Sequence, residues 1–296
     1  MITVALLSAL AILALAYVVA LARAARARGQ FRPSLESIGL GAVTNFFDTL
    51  GIGSYAPTTA WLKLRGMVPD SFIPTILNAG HGLPTVVEAM IFIKLVRVDP
   101  WLMSACFAAT VVGAIVGAPI VVRLPVRAVQ GVVGVALLLA AAAYTATNLG
   151  LMPAGGSALT LSPVLFAAAV AAYFVLGALM TCGIGLYAPS LVMLSLMGLD
   201  PKAAFPIMMG ACAFMMPVSG IGFLRSDRID IRVVLGITLG GIPAVLLAAL
   251  VVKSLPLTAI RWGVVAVVLY TALILLRAAW RAESVVSSPP SIAPAA

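Results

Sequence analysis

The chain has 296 residues and a net charge of +9; 63% of its residues are hydrophobic and only 9% are charged. A soluble domain carries roughly 25% charged residues, so this composition excludes a protein whose whole surface faces water. Apolar runs of about 20 residues, long enough to cross a hydrocarbon core of about 30 Å, recur along the chain. We therefore predict an all-α polytopic membrane protein embedded in a lipid bilayer.

The positive charge does not indicate a nucleic-acid partner, because the Lys and Arg residues lie in short segments between apolar runs. In such positions they set membrane topology. Cys106, Cys182 and Cys212 all fall inside apolar segments and lack the spacing of a disulfide framework or a zinc site. We expect no metal and no cofactor.

The first predicted span is residues 1–22, and a basic linker, residues 23–35, follows it. No basic residue precedes the apolar run, whereas four arginines come after it. A secretory signal has the opposite arrangement. If the linker is cytoplasmic, as the positive-inside rule requires, the N-terminus lies on the other side of the membrane.

An internal repeat organises the rest of the chain. GIGSYAP at residues 51–57 recurs as GIGLYAP at residues 183–189, 132 positions later. The alignment predicts two transport repeats, residues 36–149 and 163–279. An uncharged loop, residues 150–162, separates them, and residues 280–296 form a Pro/Ser/Ala-rich tail that we expect to be disordered.

Each repeat consists of a motif segment, residues 36–65 or 163–198, and three plain spans. The predicted spans are residues 71–93, 101–122 and 128–149 in the first repeat and 203–223, 231–252 and 258–279 in the second. In the first motif segment, residues 36–50 and 55–65 would form helices of about 22 Å and 16 Å, and neither crosses a bilayer alone. Two readings fit these lengths, a re-entrant pair of half-helices and a single broken span.

The distribution of Lys and Arg favours re-entry, because that topology places more of them on the cytoplasmic side. Each repeat then crosses the membrane an odd number of times, and the second repeat is inverted relative to the first. Inverted repeats with broken helices are a transporter architecture, and the breaks mark the substrate site.

The break itself predicts an anion site. Glycines allow the chain to leave the helix, and Pro57 and Pro189 suit the start of the next one, where a missing N–H costs nothing. The free N–H groups and positive dipole end of each second half-helix then point into the break. The alternative is that the glycines only allow close helix packing.

Three ionisable residues lie inside apolar segments and are candidates for coupling transport to an ion: Asp48, His81 and Glu88. His81 is expected to contact the anion, to carry a proton or to serve only as a buried hydrogen-bonding residue. Asp48 is expected to be protonated or paired with His81. Glu88 is expected to cap or pair near the membrane edge.

Short polar residues beside the breaks complete the candidate site. Tyr55 and Tyr187 are expected either to bind the anion or to anchor the tips of the hairpins. The predicted substrate-binding residues are Thr49, Gly51, Gly53, Ser54, Tyr55, Asn78, His81, Thr181, Cys182, Gly183, Gly185 and Tyr187.

These residues resemble the sulfite exporter TauE/SafE family of membrane permeases. The resemblance rests on the duplicated glycine motif, on RGMVPDSF at 65–72 and MGLDPKAAF at 197–205, and on VVGAIVGAPIVVRLP at 111–125 with its partner at 235–256. It covers about residues 36–280. The family usually reads GIGGG where this chain has GIGSYAP and GIGLYAP, so the pocket differs in shape.

The resemblance implies a transporter of the bacterial inner membrane for a small sulfur-containing oxyanion such as sulfite or an organosulfonate. It implies a multi-pass protein with a periplasmic N-terminus and a cytoplasmic C-terminus, and not an enzyme. The open alternatives are a permease or channel for another small anion or organic acid, and a cation or metal permease that uses Asp48 and His81.

Overall fold

The fold is described from a computed structural model, which covers residues 1–117, 126–149, 156–181, 183–254 and 257–286. In this part of the chain the regular structure is helical, as predicted, with one isolated β-bridge. The α-helices are α1 (Ile2–Arg28), α2 (Leu35–Thr49), α3 (Tyr55–Leu64), α4 (Ile73–Leu95), α5 (Pro100–Val112), α6 (Val126–Asn148), α7 (Pro163–Met180), α8 (Tyr187–Leu196), α9 (Pro201–Phe223), α10 (Ile231–Ser254) and α11 (Leu257–Val286). A 3-10 turn, Asp70–Phe72, leads into α4, and a π-helical turn, Gly113–Gly117, follows α5.

Five of the described helices are long and apolar enough to cross a membrane: α1, α4 with its preceding turn, α7, α9 and most of α10. Four of them coincide with predicted spans. The fifth, α7, is the first half-helix of the second motif segment and has 18 residues, against 15 in its counterpart α2. The predicted span 101–122 begins as α5, which gives way to the π-helical turn after Val112.

Two helices extend beyond the predicted spans. α1 continues through the first part of the predicted linker to Arg28 and ends at Gly29, whose φ of 62° is left-handed. Arg26 and Arg28 lie in its last turn, where a cation is favoured by the helix dipole. α11 continues to Val286, and the remaining residues of the predicted tail lie outside the described part.

Both glycine motifs interrupt a helix where the sequence predicts. α2 ends at Thr49 and α3 begins at Tyr55, while α7 ends at Met180 and α8 begins at Tyr187. Gly51 and Gly53 have φ values of 91° and 87°, which strongly favour glycine. Pro57 and Pro189 each occupy the third position of the new helix, where the backbone N–H would have no partner within the helix.

Each motif segment brings its own two ends together. The carboxylate of Glu36, at the start of α2, accepts hydrogen bonds from the Trp61 indole (3.1 Å) and the Arg65 guanidinium (2.9 Å) at the end of α3. In the second segment, a bridge joins Ala158, before α7, to Leu199, after α8, and Asp200 N donates to Ala158 O at 2.9 Å. The two ends of each motif segment therefore lie close together.

The loops gather at two opposite ends of the bundle. At the first end, the Arg28 guanidinium at the end of α1 donates to Ser226 O (2.7 Å) in the turn between α9 and α10, and the Thr75 hydroxyl near the start of α4 donates to Arg228 O. At the second end, Asp99 N at the start of α5 donates to Leu159 O (3.0 Å) before α7. α4 therefore begins at the first end, whereas α9 begins at the second.

Glycines set the two tightest helix contacts. A Cβ on Gly240 of α10 would lie 1.9 Å from the backbone oxygen of Ile38 in α2. A Cβ on Gly113, after α5, would lie 1.9 Å from the backbone oxygen of Phe174 in α7. The first half-helices α2 and α7 are thus each held by a neighbour with glycine at the contact, as small residues allow in membrane bundles. α4 packs against α9 between the pair α2–α10 and the pair α5–α7.

Candidate functional site

The two breaks touch each other in the core of the protein. A Cβ on Gly53 would lie 3.8 Å from the Cβ of Tyr187, and a Cβ on Gly185 would lie 3.7 Å from the Cβ of Tyr55. These reciprocal distances are ordinary van der Waals contacts. The start of α3 therefore lies directly against the start of α8, although 132 positions separate them in the chain.

α4 supplies two of the polar side chains around the first break, Asn78 and His81. The Tyr55 hydroxyl donates to Asn78 Oδ1 at 3.0 Å. His81 lies between two half-helices, with Nε2 at 3.0 Å from the Thr58 hydroxyl and Nδ1 at 2.9 Å from Asn45 Oδ1. The predicted residues Tyr55, Asn78 and His81 thus belong to two neighbouring buried hydrogen-bonded groups, and the Tyr55 and His81 ring centroids lie 6.2 Å apart.

Glu88 lies between the two breaks and not, as expected from its position near the end of a span, at the membrane edge. Its side chain is fully buried. One carboxylate oxygen accepts from the Thr49 hydroxyl at 2.8 Å, and the other accepts from the Tyr187 hydroxyl at 2.8 Å. Because Thr49 ends α2 and Tyr187 begins α8, Glu88 of α4 joins the two motif segments.

Asp48 caps the first break and does not pair with His81, as one of our expectations had it. Its Oδ1 accepts from the backbone N–H of Ser54 at 2.7 Å, and the residue is 2% exposed. His81 instead contacts Asn45 and Thr58. The physical reason is that the Ser54 N–H, immediately before α3, supplies the carboxylate with a hydrogen bond, while both ring nitrogens of His81 are bonded elsewhere.

Neither buried acid has a basic partner in the described parts of the chain. The ion pairs found there, Lys63–Asp70 (3.1 Å) and Arg65–Glu36 (2.9 Å), both lie at the first end of the bundle. The Arg65 guanidinium also lowers the pKa of the exposed Glu36 carboxyl through its hydrogen bond. A buried unpaired carboxylate is costly, so the two core acids differ in kind from these surface pairs.

The amide, imidazole and carboxyl side chains of the site belong to the first repeat. Shifting the five by 132 positions gives small or apolar residues: Asn45, Asp48, Asn78, His81 and Glu88 correspond to Gly177, Met180, Gly210, Ala213 and Gly220. The site is therefore polar on the side of α2 and α4 and apolar on the side of α7 and α9. This asymmetry is absent from the glycine motifs themselves, which are nearly identical.

Two cavities adjoin the contact between the breaks, and Gly53, Tyr55, Gly185 and Tyr187 border both. The larger one, of about 170 Å³, is lined mainly by apolar side chains, with Thr59, Gln130 and Thr271 as polar exceptions. The smaller one, of about 20 Å³, reaches Asp48 and Ser54 on one side and Met180, Cys212 and Met216 on the other. The smaller space has room for about one water molecule.

Three more of the predicted site residues, Thr181, Gly51 and Gly183, lie around this centre. The Thr181 hydroxyl donates to Ala178 O of its own helix at 2.7 Å. A Cβ on Gly51 would lie 3.3 Å from the Phe205 ring. Gly183 lines the larger cavity, and Cys182 lies outside the described residues.

Four residues at the site were missed by sequence reasoning: Asn45, Thr58, Met180 and Cys212. Asn45 had a usable signal, because it lies one helical turn before Thr49 on the same face of α2. Cys212 lies in an apolar segment, as a small buried hydrophobic residue would, yet it borders the smaller cavity. Nothing in its local sequence distinguishes these two roles.

The bridging role of Glu88 predicts a large effect of its removal. We expect Glu88→Ala to leave the Tyr187 hydroxyl without its acceptor, at a cost of about 1–3 kcal/mol, whereas the Thr49 hydroxyl keeps Asn45 O at 2.9 Å as an acceptor. Glu88→Gln keeps an acceptor oxygen and should cost less. Thermal unfolding in detergent measures both; equal melting temperatures for Glu88→Ala and the wild type would show that the two hydrogen bonds do not stabilise the fold.

Comparison with known proteins was made for the whole chain. Residues 165–296 match the family model described as Sulfite exporter TauE/SafE. No curated protein and no solved structure gave a match. The match includes the second break and α8 to α11, and the apolar helices fit a multi-pass membrane protein. The resemblance drawn from the paired motifs is thereby confirmed over residues 165–296, where the chain is similar to the TauE/SafE sulfite exporter model.

Proposed function

We propose that this chain is a secondary transporter, working as an exporter, for a small sulfur-containing oxyanion such as sulfite or an organosulfonate. The anion binds between the two GIGxYAP breaks and crosses the membrane by alternating access. The observation that carries the proposal is the reciprocal contact of the breaks, Gly53 with Tyr187 and Gly185 with Tyr55. The family match over residues 165–296 supports the class of substrate.

An anion suits this place because two helices begin there. α3 and α8 are each 10 residues long, and each presents its positive dipole end and first N–H groups toward the contact. Broken backbone inside a bilayer is tolerated only where protein or a cavity supplies partners. The cavity of about 170 Å³ beside both helix starts is such a place.

The contact between the two ends of each motif segment supports the re-entrant topology, in which the segment enters and leaves on the same side of the membrane. Glu36 joins the start of α2 to the end of α3, and the Ala158–Leu199 bridge does the same for α7 and α8. The first hairpin starts at the first end of the bundle and the second at the second end. With α4 and α9 running in opposite senses, this supports two inverted repeats whose breaks meet near the midplane.

The charge distribution supports a cytoplasmic first end. Arg26, Arg28, Lys63, Arg65, Arg225, Arg228 and Arg232 belong to the segments that meet there. The second end has Lys94, Arg97 and Lys202, together with Lys253 near the end of α10 and Arg261 near the start of α11. By the positive-inside rule the N-terminus is then periplasmic and the C-terminus, after α11, cytoplasmic.

The buried acids favour coupling to protons. The Thr49 hydroxyl has one proton and lies within hydrogen-bonding distance of two acceptors, Asn45 O at 2.9 Å and Glu88 Oε1 at 2.8 Å. A protonated Glu88 would satisfy both contacts. Asp48, His81 and Glu88 remain the coupling candidates, and the cavity beside them is where a proton and an anion would meet.

The apolar lining of the larger cavity favours a second candidate function, a permease or channel for another small organic acid. Its walls include Ile52, Ile274 and Leu275, which suit a carbon body more than a bare inorganic ion. A cation permease is the third candidate, since Asp48 and Glu88 are both acidic. It requires both carboxylates to be charged during transport.

A liposome flux assay tests the proposal. Purified protein would be reconstituted, and the movement of sulfite, sulfoacetate, taurine and sulfate measured with and without a pH gradient. We expect saturable flux of sulfite or sulfoacetate that responds to the gradient, and little flux of zwitterionic taurine. Flux of metal cations without anion flux would contradict the proposal, and flux that never saturates would indicate a channel.

A further inference from the structure

A carboxylate of the protein itself already occupies one of the two helix starts. Asp48 Oδ1 lies 2.7 Å from Ser54 N, the backbone amide immediately before α3. This is the place and the geometry that an oxyanion would take at a helix N-terminus. In this conformation the α3 amide is therefore bonded to an internal anion.

We propose that Asp48 is an ionisable plug of the substrate site: the charged carboxylate holds the Ser54 amide, and a protonated Asp48 releases it to the transported anion. The inference rests on the proposed function, since it names the regulation of the same anion site. This role, release of the Ser54 amide to the anion on protonation, differs from that of a cation ligand and from that of a structural helix cap.

Space supports competition between the plug and the anion. The cavity that reaches Asp48 and Ser54 has a volume of about 20 Å³, enough for one water molecule but not for a sulfonate group. The cavity of about 170 Å³ lies across Gly53, Tyr55, Gly185 and Tyr187. An anion that moved from the larger space to the Ser54 amide would have to displace the Asp48 carboxylate.

Charge supports the same competition. The titratable groups that face Asp48 come from four helices: Tyr55 of α3, Glu88 of α4, Tyr187 of α8 and Cys212 of α9. None of them is basic, and the imidazole of His81 is bonded to Asn45 and Thr58. An anion added beside ionised Asp48 would meet a like charge and no basic side chain among these groups, so its binding favours proton uptake.

Among the described residues around the two breaks, such a plug is found at the first break alone. The position equivalent to Asp48 in the second repeat is Met180, whose thioether borders the smaller cavity beside Leu186. A thioether carries no charge and is a weak acceptor, so it does not compete with an anion for the start of α8. The two helix starts thus differ, and the proton dependence belongs to α3.

The plug predicts that about one proton is taken up for each anion bound. Apparent affinity should then fall with rising pH by up to about tenfold per pH unit, the limit for a single linked proton. Asp48→Asn keeps a side-chain oxygen for the Ser54 amide but carries no charge at any pH. It should bind the anion at high pH as tightly as the wild type does at low pH.

The experiment measures binding of methanesulfonate to purified full-length protein by calorimetry, at about pH 5.5 and about pH 8. This probe stays ionised throughout that range, unlike sulfite, so any proton taken up belongs to the protein. Runs in two buffers with different ionisation enthalpies count the protons directly in the wild type, which keeps the test valid if a variant folds poorly. Asp48→Asn and the matched variant Glu88→Gln complete the set.

The outcomes separate the two proposals. Two results together would support the plug. The wild type and Glu88→Gln would take up about one proton per anion. Asp48→Asn would bind the anion independently of pH, and at high pH more tightly than the wild type does. Three results would overturn the plug and leave the anion site standing. The first is wild-type binding that does not depend on pH, and the second is weaker binding by Asp48→Asn at every pH. The third is that binding becomes independent of pH only in Glu88→Gln. No binding of methanesulfonate by the wild type at either pH would overturn both.

Discussion

Gly185→Leu is expected to lower anion flux by about 100-fold while leaving the protein folded. The φ of Gly185 is not in the left-handed region, and a Cβ there would lie 3.7 Å from Tyr55, an ordinary contact. The rest of a leucine side chain must enter the cavities that Gly185 borders, between the two helix starts. Overpacking costs about 1–3 kcal/mol, and about 2.8 kcal/mol corresponds to 100-fold.

The controls for this prediction distinguish the site from the fold. Gly185→Ala adds only the Cβ that the contact accepts, so flux should stay within a few-fold of the wild type. Gly39→Leu places the same bulky side chain on α2, where no atom lies within 4 Å of the added Cβ, and should leave flux unchanged. Normal flux by Gly185→Leu would mean that the anion does not pass between the breaks.

The second large effect concerns folding. We expect Gly240→Ala to reduce stability by more than about 3 kcal/mol, because its Cβ would lie 1.9 Å from Ile38 O and 2.9 Å from Ala42 N, both backbone atoms of α2. No rotamer change relieves a clash with backbone. α10 would have to move away from α2, which carries Asp48 and Thr49 to the site.

Thermal unfolding in detergent and the fraction of monodisperse protein measure this effect. Gly222→Ala, near the end of α9, is the matched control, because no atom lies within 4 Å of its added Cβ. At this helical position an alanine should be neutral or slightly stabilising relative to glycine. If Gly240→Ala and Gly222→Ala melted at the same temperature, the close packing of α2 on α10 would not limit stability.

The local features of the breaks could be predicted from sequence because they depend on neighbours in the chain. A glycine's access to positive φ and a proline's lack of an N–H act within one helical turn. The predicted starts of the second half-helices therefore agree with α3 and α8, which begin at Tyr55 and Tyr187. The resemblance to a transporter family rested on the same short motifs and their order.

The partners of Asp48 and Glu88 could not be predicted in this way. The predicted span 71–93 placed Glu88 toward the membrane edge, since the residue lies five positions before the end of that span. Its hydrogen bond to Tyr187 joins residues 99 positions apart. Such a contact depends on how α4 and α8 cross, which no local pattern encodes.

The amino-acid sequence by itself determined a helical membrane protein with two interrupted helices and a family resemblance, because composition, periodicity and the conformational limits of Gly and Pro are properties of short segments. Only the tertiary structure decided that the two interruptions touch, that Glu88 joins them and that Asp48 lies on the Ser54 amide. The physical reason is that buried polar groups take whichever partner the packing brings within about 3 Å, and packing is set by the whole bundle.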